Sequence, residues 1–135
     1  EMKDDPRILK FSEDLPEQSI HTEEDFFGKG KLASQIFLER KLDATAIICF
    51  NDEFAIGMIK GFQEMGVNVP EQISVMGIDG TGTRKYLSTV NMFPRKQGRE
   101  CANVLIDIIE KKNKRYIVHL KSKLQTGESV KDLHT

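Results

Sequence analysis

Two apolar runs, AIICF at 46–50 and ISVMGI at 73–78, bracket a stretch with a different rhythm. Between them Phe54, Met58, Phe62 and Met65 recur at helical spacing, with Ala55 and Ile59 alongside, and Gly66 supplies a stop. A strand that is apolar at nearly every position expects cover on both faces, as in a parallel sheet sandwiched by helices. Parallel strands also need a crossover, and the helical stretch at 52–66 provides it. The pattern predicts an α/β chain with a mostly parallel sheet flanked by helices.

The remaining segments extend that pattern. DDPRILKFSEDLP reads as a short helix with Pro6 at its first position, and QSIHT as a short, weak strand. EEDFFGKGKLASQIFLERK places acidic residues first and basic residues last, which predicts a helix from Glu24 or Gly28 to Arg40. YLSTVNMF reads as a third strand, RECANVLIDIIEKKN as a helix, and RYIVHLKSKLQTGES as an exposed, alternating strand. The helix in the third region carries Ala102, Val104, Leu105, Ile106, Ile108 and Ile109. That face is too wide for solvent and predicts packing on this chain's own sheet or on a second chain.

Bulk properties narrow the function classes. The chain has 135 residues, 39% of them hydrophobic and 30% charged, with a formal net charge of −1. No global basic footprint for nucleic acid is present, and no apolar run approaches the ~20 residues that cross a bilayer. EMKDDPRILK has none of the features of a secretory signal. Cys49 and Cys101 show no metal-ligand spacing; lying in or beside apolar runs, they read as two buried free thiols and point to a cytoplasmic protein. His21, His119 and His134 are scattered, so neither a metal site nor a catalytic pair is expected. FGKGK lacks both the first Gly and the Ser/Thr of a phosphate loop, and Gly28 and Gly30 read as flexibility at a helix start. No cofactor and no catalytic residue are predicted.

The candidate site comes from how the strands end. The first stops on Asn51 and Asp52, the second on Asp79. In an open parallel sheet ligands bind outside the carboxyl ends of the strands, so two strands aim polar side chains at one edge. An amide donates and accepts, and a carboxylate accepts at up to four positions, a combination suited to neighbouring hydroxyls. Asp52 reads as the N-cap of the helix that follows, leaving Asn51 and Asp79 for a ligand. Phe50, Tyr86 and Phe93 are candidates to stack on a ligand face.

The segment TAIICFNDEFAIGMIKGFQEMGVNVPEQISVMGIDGT resembles the effector-binding core of the lactose/galactose-repressor family of bacterial transcription regulators. That family's pattern is P-T-A-I, N-D-x-x-A-x-G, a helix ending E-x-G, then V-P-x-D-I-S-V-x-G-[FY]-D. Fainter similarity extends over residues 20 to 131, through LSTVNMFPRKQGRECANVLIDII to LQTGESV. The resemblance implies a periplasmic-binding-protein-like fold of two α/β lobes around a cleft. It also implies that residues 1–135 form the C-terminal lobe, with 98–112 the helix that returns to the first lobe. The DNA-binding domain and most of the first lobe would lie outside this chain.

On the same ground Asn51 and Asp79 correspond to residues that contact effector hydroxyls, and Met92 stands where the family has a contacting Gln. TAIICFNDE is also similar to arabinose repressors, which suggests a pentose. The resulting expectation is a sugar-sensing, homodimeric regulator that binds operator DNA through another domain. The alternative is a sugar-binding protein of a transport system, which the DGT after Gly77-Ile78 also resembles.

Overall fold

A computed structural model describes residues 25–81, 85–111 and 117–133. In chain order the elements are helix α1 (Phe26–Glu39), strand β1 (Ala46–Ile48), helix α2 (Asp52–Glu64), strands β2 (Ser74–Asp79) and β3 (Ser88–Asn91), helix α3 (Pro94–Ile109) and strand β4 (Lys123–Gln125). The strands form one sheet in the order β1-β2-β3-β4. The first three are parallel, and β4 joins antiparallel to β3. The expected mostly parallel α/β sheet is therefore present. The helix expected in DDPRILKFSEDLP and the strand expected in QSIHT lie outside the described residues.

The core lies between α1, α2 and the sheet. Phe62, Met58 and Val75 are fully enclosed, and Phe37 meets Phe62 edge-on with ring centroids 5.6 Å apart. Burying side chains of this size stabilises by about 1.5–3 kcal/mol each, which ties α2 to both the sheet and α1. The two helices approach so closely that glycine is required at their contact. A Cβ on Gly57 would meet the Phe27 carbonyl, and one on Gly30 would meet the Phe54 carbonyl. Gly30 thus serves backbone-to-backbone packing rather than flexibility at a helix start. The start itself falls at Phe26, where Asp25 Oδ1 accepts from the Gly28 N–H at 2.8 Å.

β1 departs from the expected fully covered strand. It has three residues and among the described strands pairs only with β2; Cys49 beyond it is buried on the α2 side, whereas Ile48 on the opposite side is 73% exposed. A continuous apolar run reports low polarity at each position and cannot say which face a neighbouring element covers. Cys49 is buried as predicted and burial pushes its thiol up to about 12, but Cys101 is exposed on α3.

The closing segment is stitched into the sheet by Ser129. Its backbone carbonyl accepts from Val75 N–H at 2.8 Å, and its hydroxyl donates to the Val75 carbonyl at 2.6 Å. The same hydroxyl accepts from Ser88 N–H at 2.9 Å, so β2 and β3 are joined at their amino ends. α3 begins at Pro94, earlier than its apolar pattern indicates, because Asn91 Oδ1 accepts from Phe93 N–H at 2.8 Å and turns the chain there. None of its residues is buried, and Leu105, Ile106 and Ile109 are exposed. Of the two arrangements expected for this helix, packing on its own sheet is not adopted.

Candidate functional site

The carboxyl ends of β1, β2 and β3 and the amino end of α2 meet at one edge of the sheet. Asn51 stands in extended conformation just before α2, and its Oδ1 accepts from Phe54 N–H at 2.8 Å. Asn51 is thus the N-cap, and the expected cap at Asp52 is corrected. Asp52 occupies the first helical position, where its side chain turns away from the helix end and into the sheet. It is buried, and its carboxylate accepts from the Thr81 N–H at 3.0 Å, the Thr81 hydroxyl at 3.1 Å and the Thr89 hydroxyl.

Asp79 ends β2, opposite Asn91 in the parallel register. Its φ of 126° lies in a region that L residues rarely occupy, a strain held by the surrounding bonds. One of these is the Met92 N–H donating to its carbonyl at 3.0 Å. Burial pushes the Asp79 carboxyl above the usual carboxylate range, the nearby Asp52 charge adds to this, and the Asp52 backbone N–H partly offsets it. Gly80 follows with φ of 69°, and a Cβ there would collide with Asn91. The chain leaving β2 consequently passes directly over β3.

Phe50 and Phe26 form an apolar wall beside Asn51. Both are partly exposed; their rings meet edge-on with centroids 5.4 Å apart, and Phe50 also lies 5.0 Å from the Phe54 ring. Lys29 Nζ sits 5.8 Å from the Phe26 ring centre. Met92 joins the edge through its backbone bond to Asp79, and Phe93, in left-handed conformation, starts α3 beside it.

Tyr86 does not join this group. It precedes β3, hence lies at the amino end of a strand parallel to β2, where its carbonyl accepts from Ser129 N–H at 2.8 Å. Its side chain lines a separate cavity of about 330 Å3 with Phe27, Ile56, Ile59, Lys60 and Gln63. Tyr86 as a stacking residue of the Asn51/Asp79 edge is corrected accordingly.

Three further residues of the edge escaped the sequence reading. Asn91 ends β3 as Asn51 ends the first apolar run, so the same rule would have found it. Its Nδ2 donates to Gln125 Oε1 at 3.4 Å. Phe26 read only as part of the helix in EEDFFGKGKLASQIFLERK, and Thr81 only as the last residue of the DGT. Among the described residues no cluster of three or more His, Cys, Asp or Glu has metal-binding geometry, and no helix is long and apolar enough to cross a membrane.

Residues 5–130 match the periplasmic binding protein-like domain family. The chain is 29% identical over 139 aligned residues to the HTH-type transcriptional repressor PurR of Vibrio cholerae, covering 94% of this chain and 41% of that protein. It superposes on a LacI family transcriptional regulator from Arthrobacter solved in complex with lactose, at a TM-score of 0.69 and 27% identity over 80% of this chain and 43% of the other. A LacI family regulator from Enterococcus faecium with bound ribose gives a TM-score of 0.69 and 25% identity, over 77% of this chain and 40% of the other. The chain therefore spans about two-fifths of the length of these relatives, which are named as transcription regulators rather than enzymes. With residues 5–130 inside the family match, the chain belongs to the periplasmic binding protein-like domain family, in the form that LacI-family transcription regulators carry.

Proposed function

We propose that the chain is the C-terminal lobe of an effector-sensing domain whose carboxyl edge grips a small polyhydroxylated molecule, most simply a sugar. The observation that carries this reading is the convergence of Asn51, Asp79 and the Phe26–Phe50 wall at one edge. Asn51 spends its oxygen on the cap and keeps its amide hydrogens for a ligand oxygen, while Asp79 accepts from hydroxyls. The apolar faces of a pyranose or furanose suit an aromatic wall. Relatives solved with lactose and with ribose support a carbohydrate over other polar ligands.

In this reading the ligand is enclosed by a second lobe, to which residues 98–112 return, and α3 presents its apolar face to that lobe. The protein is a cytoplasmic homodimer that binds operator DNA through a separate N-terminal domain. Effector binding favours one arrangement of the lobes, and coupling of about 1–3 kcal/mol between effector and DNA is the usual scale. Relatives named as repressors support this reading over a transport-type binding protein.

The test is calorimetric titration of the intact regulator with pentoses, disaccharides and, as planar ligands that an amide and a carboxylate can also grip, purine bases. Sugar binding that is lost in Asp79→Ala supports the proposal. Binding of a purine base in place of any sugar would overturn the ligand class, and sugar affinity indifferent to Asp79→Ala would overturn the site.

A further inference from the structure

We propose that Asp52 is a positioning residue for this site, holding the turn after β2 so that Asp79 faces the ligand; the inference rests on reading the carboxyl edge as the effector site. Among the described residues Asp52 is the one buried carboxylate at the edge, and a buried charge persists only when its lone pairs are met by donors. The donors come from two separate elements. Thr81 supplies its backbone N–H at 3.0 Å and its hydroxyl at 3.1 Å from the turn after β2, and Thr89 supplies its hydroxyl from β3. The first turn of α2 is thereby fastened both to the turn that follows Asp79 and to the neighbouring strand β3.

Two further features make the clasp specific. A Cβ on Gly77, two residues before Asp79, would meet Asp52 Oδ1, so the strand is cleared for this side chain. Asp79 has the unfavourable φ of 126° and Gly80 a left-handed one, and the turn they form leads directly to Thr81. Without the clasp, Thr81 loses both bonds that hold this turn against the sheet, and Asp79 is free to relax from its strained conformation. Asp52 is well placed to carry this role because Asn51 already caps the helix.

The test separates a clasp from a cap in the intact regulator. Backbone hydrogen exchange resolved at single residues should show the Thr81 amide exchanging at least about tenfold faster in Asp52→Ala, with Phe54 and Ala55 in the first turn of α2 unchanged. Asp52→Asn should restore protection to within about threefold, because its amide oxygen still accepts from Thr81 and its nitrogen can donate to a rotated Thr89 hydroxyl. Thr81→Ala, at an exposed position, should give a smaller increase if Asp52→Ala fails to fold. Titration with D-ribose and with lactose should show affinity falling about tenfold or more in Asp52→Ala and returning in Asp52→Asn. Unchanged exchange at Thr81, or faster exchange confined to the first turn of α2, would overturn the clasp. If neither sugar binds the unaltered regulator, the site reading fails, while the exchange result still decides the clasp.

Discussion

At the scale of single residues, adjacent polar side chains at the edge have separable tasks. Asn51 both caps α2 and faces the proposed ligand, so alanine would confound stability with binding. Ser caps about as well as Asn but lacks the amide hydrogens. Asn51→Ser is expected to leave urea unfolding within about 0.5 kcal/mol of the native protein. The same change should weaken effector binding by about 1–3 kcal/mol, roughly 5- to 150-fold, on calorimetric titration. Asp79 gives a pH test. Its folded-state pKa is raised above 3.8, so the folded protein binds that proton more tightly than the unfolded chain does. Wild-type stability therefore has a contribution that is present at low pH and is lost as pH rises through the raised value. Asp79→Asn removes the titration. It should be at least as stable as wild type at neutral pH, with the difference closing as pH falls towards 3.8; a constant difference between pH 7 and 4 would contradict the shift.

At the scale of elements, the contact between α1 and α2 depends on absent side chains. Gly57→Ala drives a methyl into the Phe27 carbonyl, a backbone atom that cannot swing aside. Overpacking of this kind costs about 1–3 kcal/mol, which thermal unfolding would register as a lowered Tm. Gly98 sits in α3 with nothing near its would-be Cβ, so Gly98→Ala should stabilise by about 0.5–1 kcal/mol through helix propensity alone. The opposite signs come from tertiary surroundings, since both residues lie in helix interiors.

At the scale of the whole molecule, α3 is amphipathic without a described partner. Leu105, Ile106, Ile108 and Ile109 are 40–69% exposed, and burying such side chains is worth about 1.5–3 kcal/mol each. The isolated 135-residue chain is therefore expected to self-associate in sedimentation equilibrium, and Leu105→Glu with Ile109→Glu to return it to monomer. The same chain alone should give no measurable heat with D-ribose, because its edge is one half of the proposed cleft. A strict monomer before substitution would count against the apolar face as a packing surface, and micromolar binding would count against the half-cleft.

The alternation of strand and helix, the parallel sheet and the edge at which Asn51 and Asp79 stand were all legible from apolar periodicity, because burial demands it and the connection rules leave few topologies. Gly66 as a helix stop was legible for the same local reason. The tertiary structure alone decided matters that turn on what lies opposite a residue. It made Asn51 the cap and turned Asp52 inward to Thr81 and Thr89, donors 29 and 37 residues away along the chain. It set Tyr86 at the wrong end of β3 for the site, since its place follows from strand direction and register, and left one face of β1 uncovered. A sequence records how apolar or polar each position is; which partner answers it across the fold is written only in three dimensions.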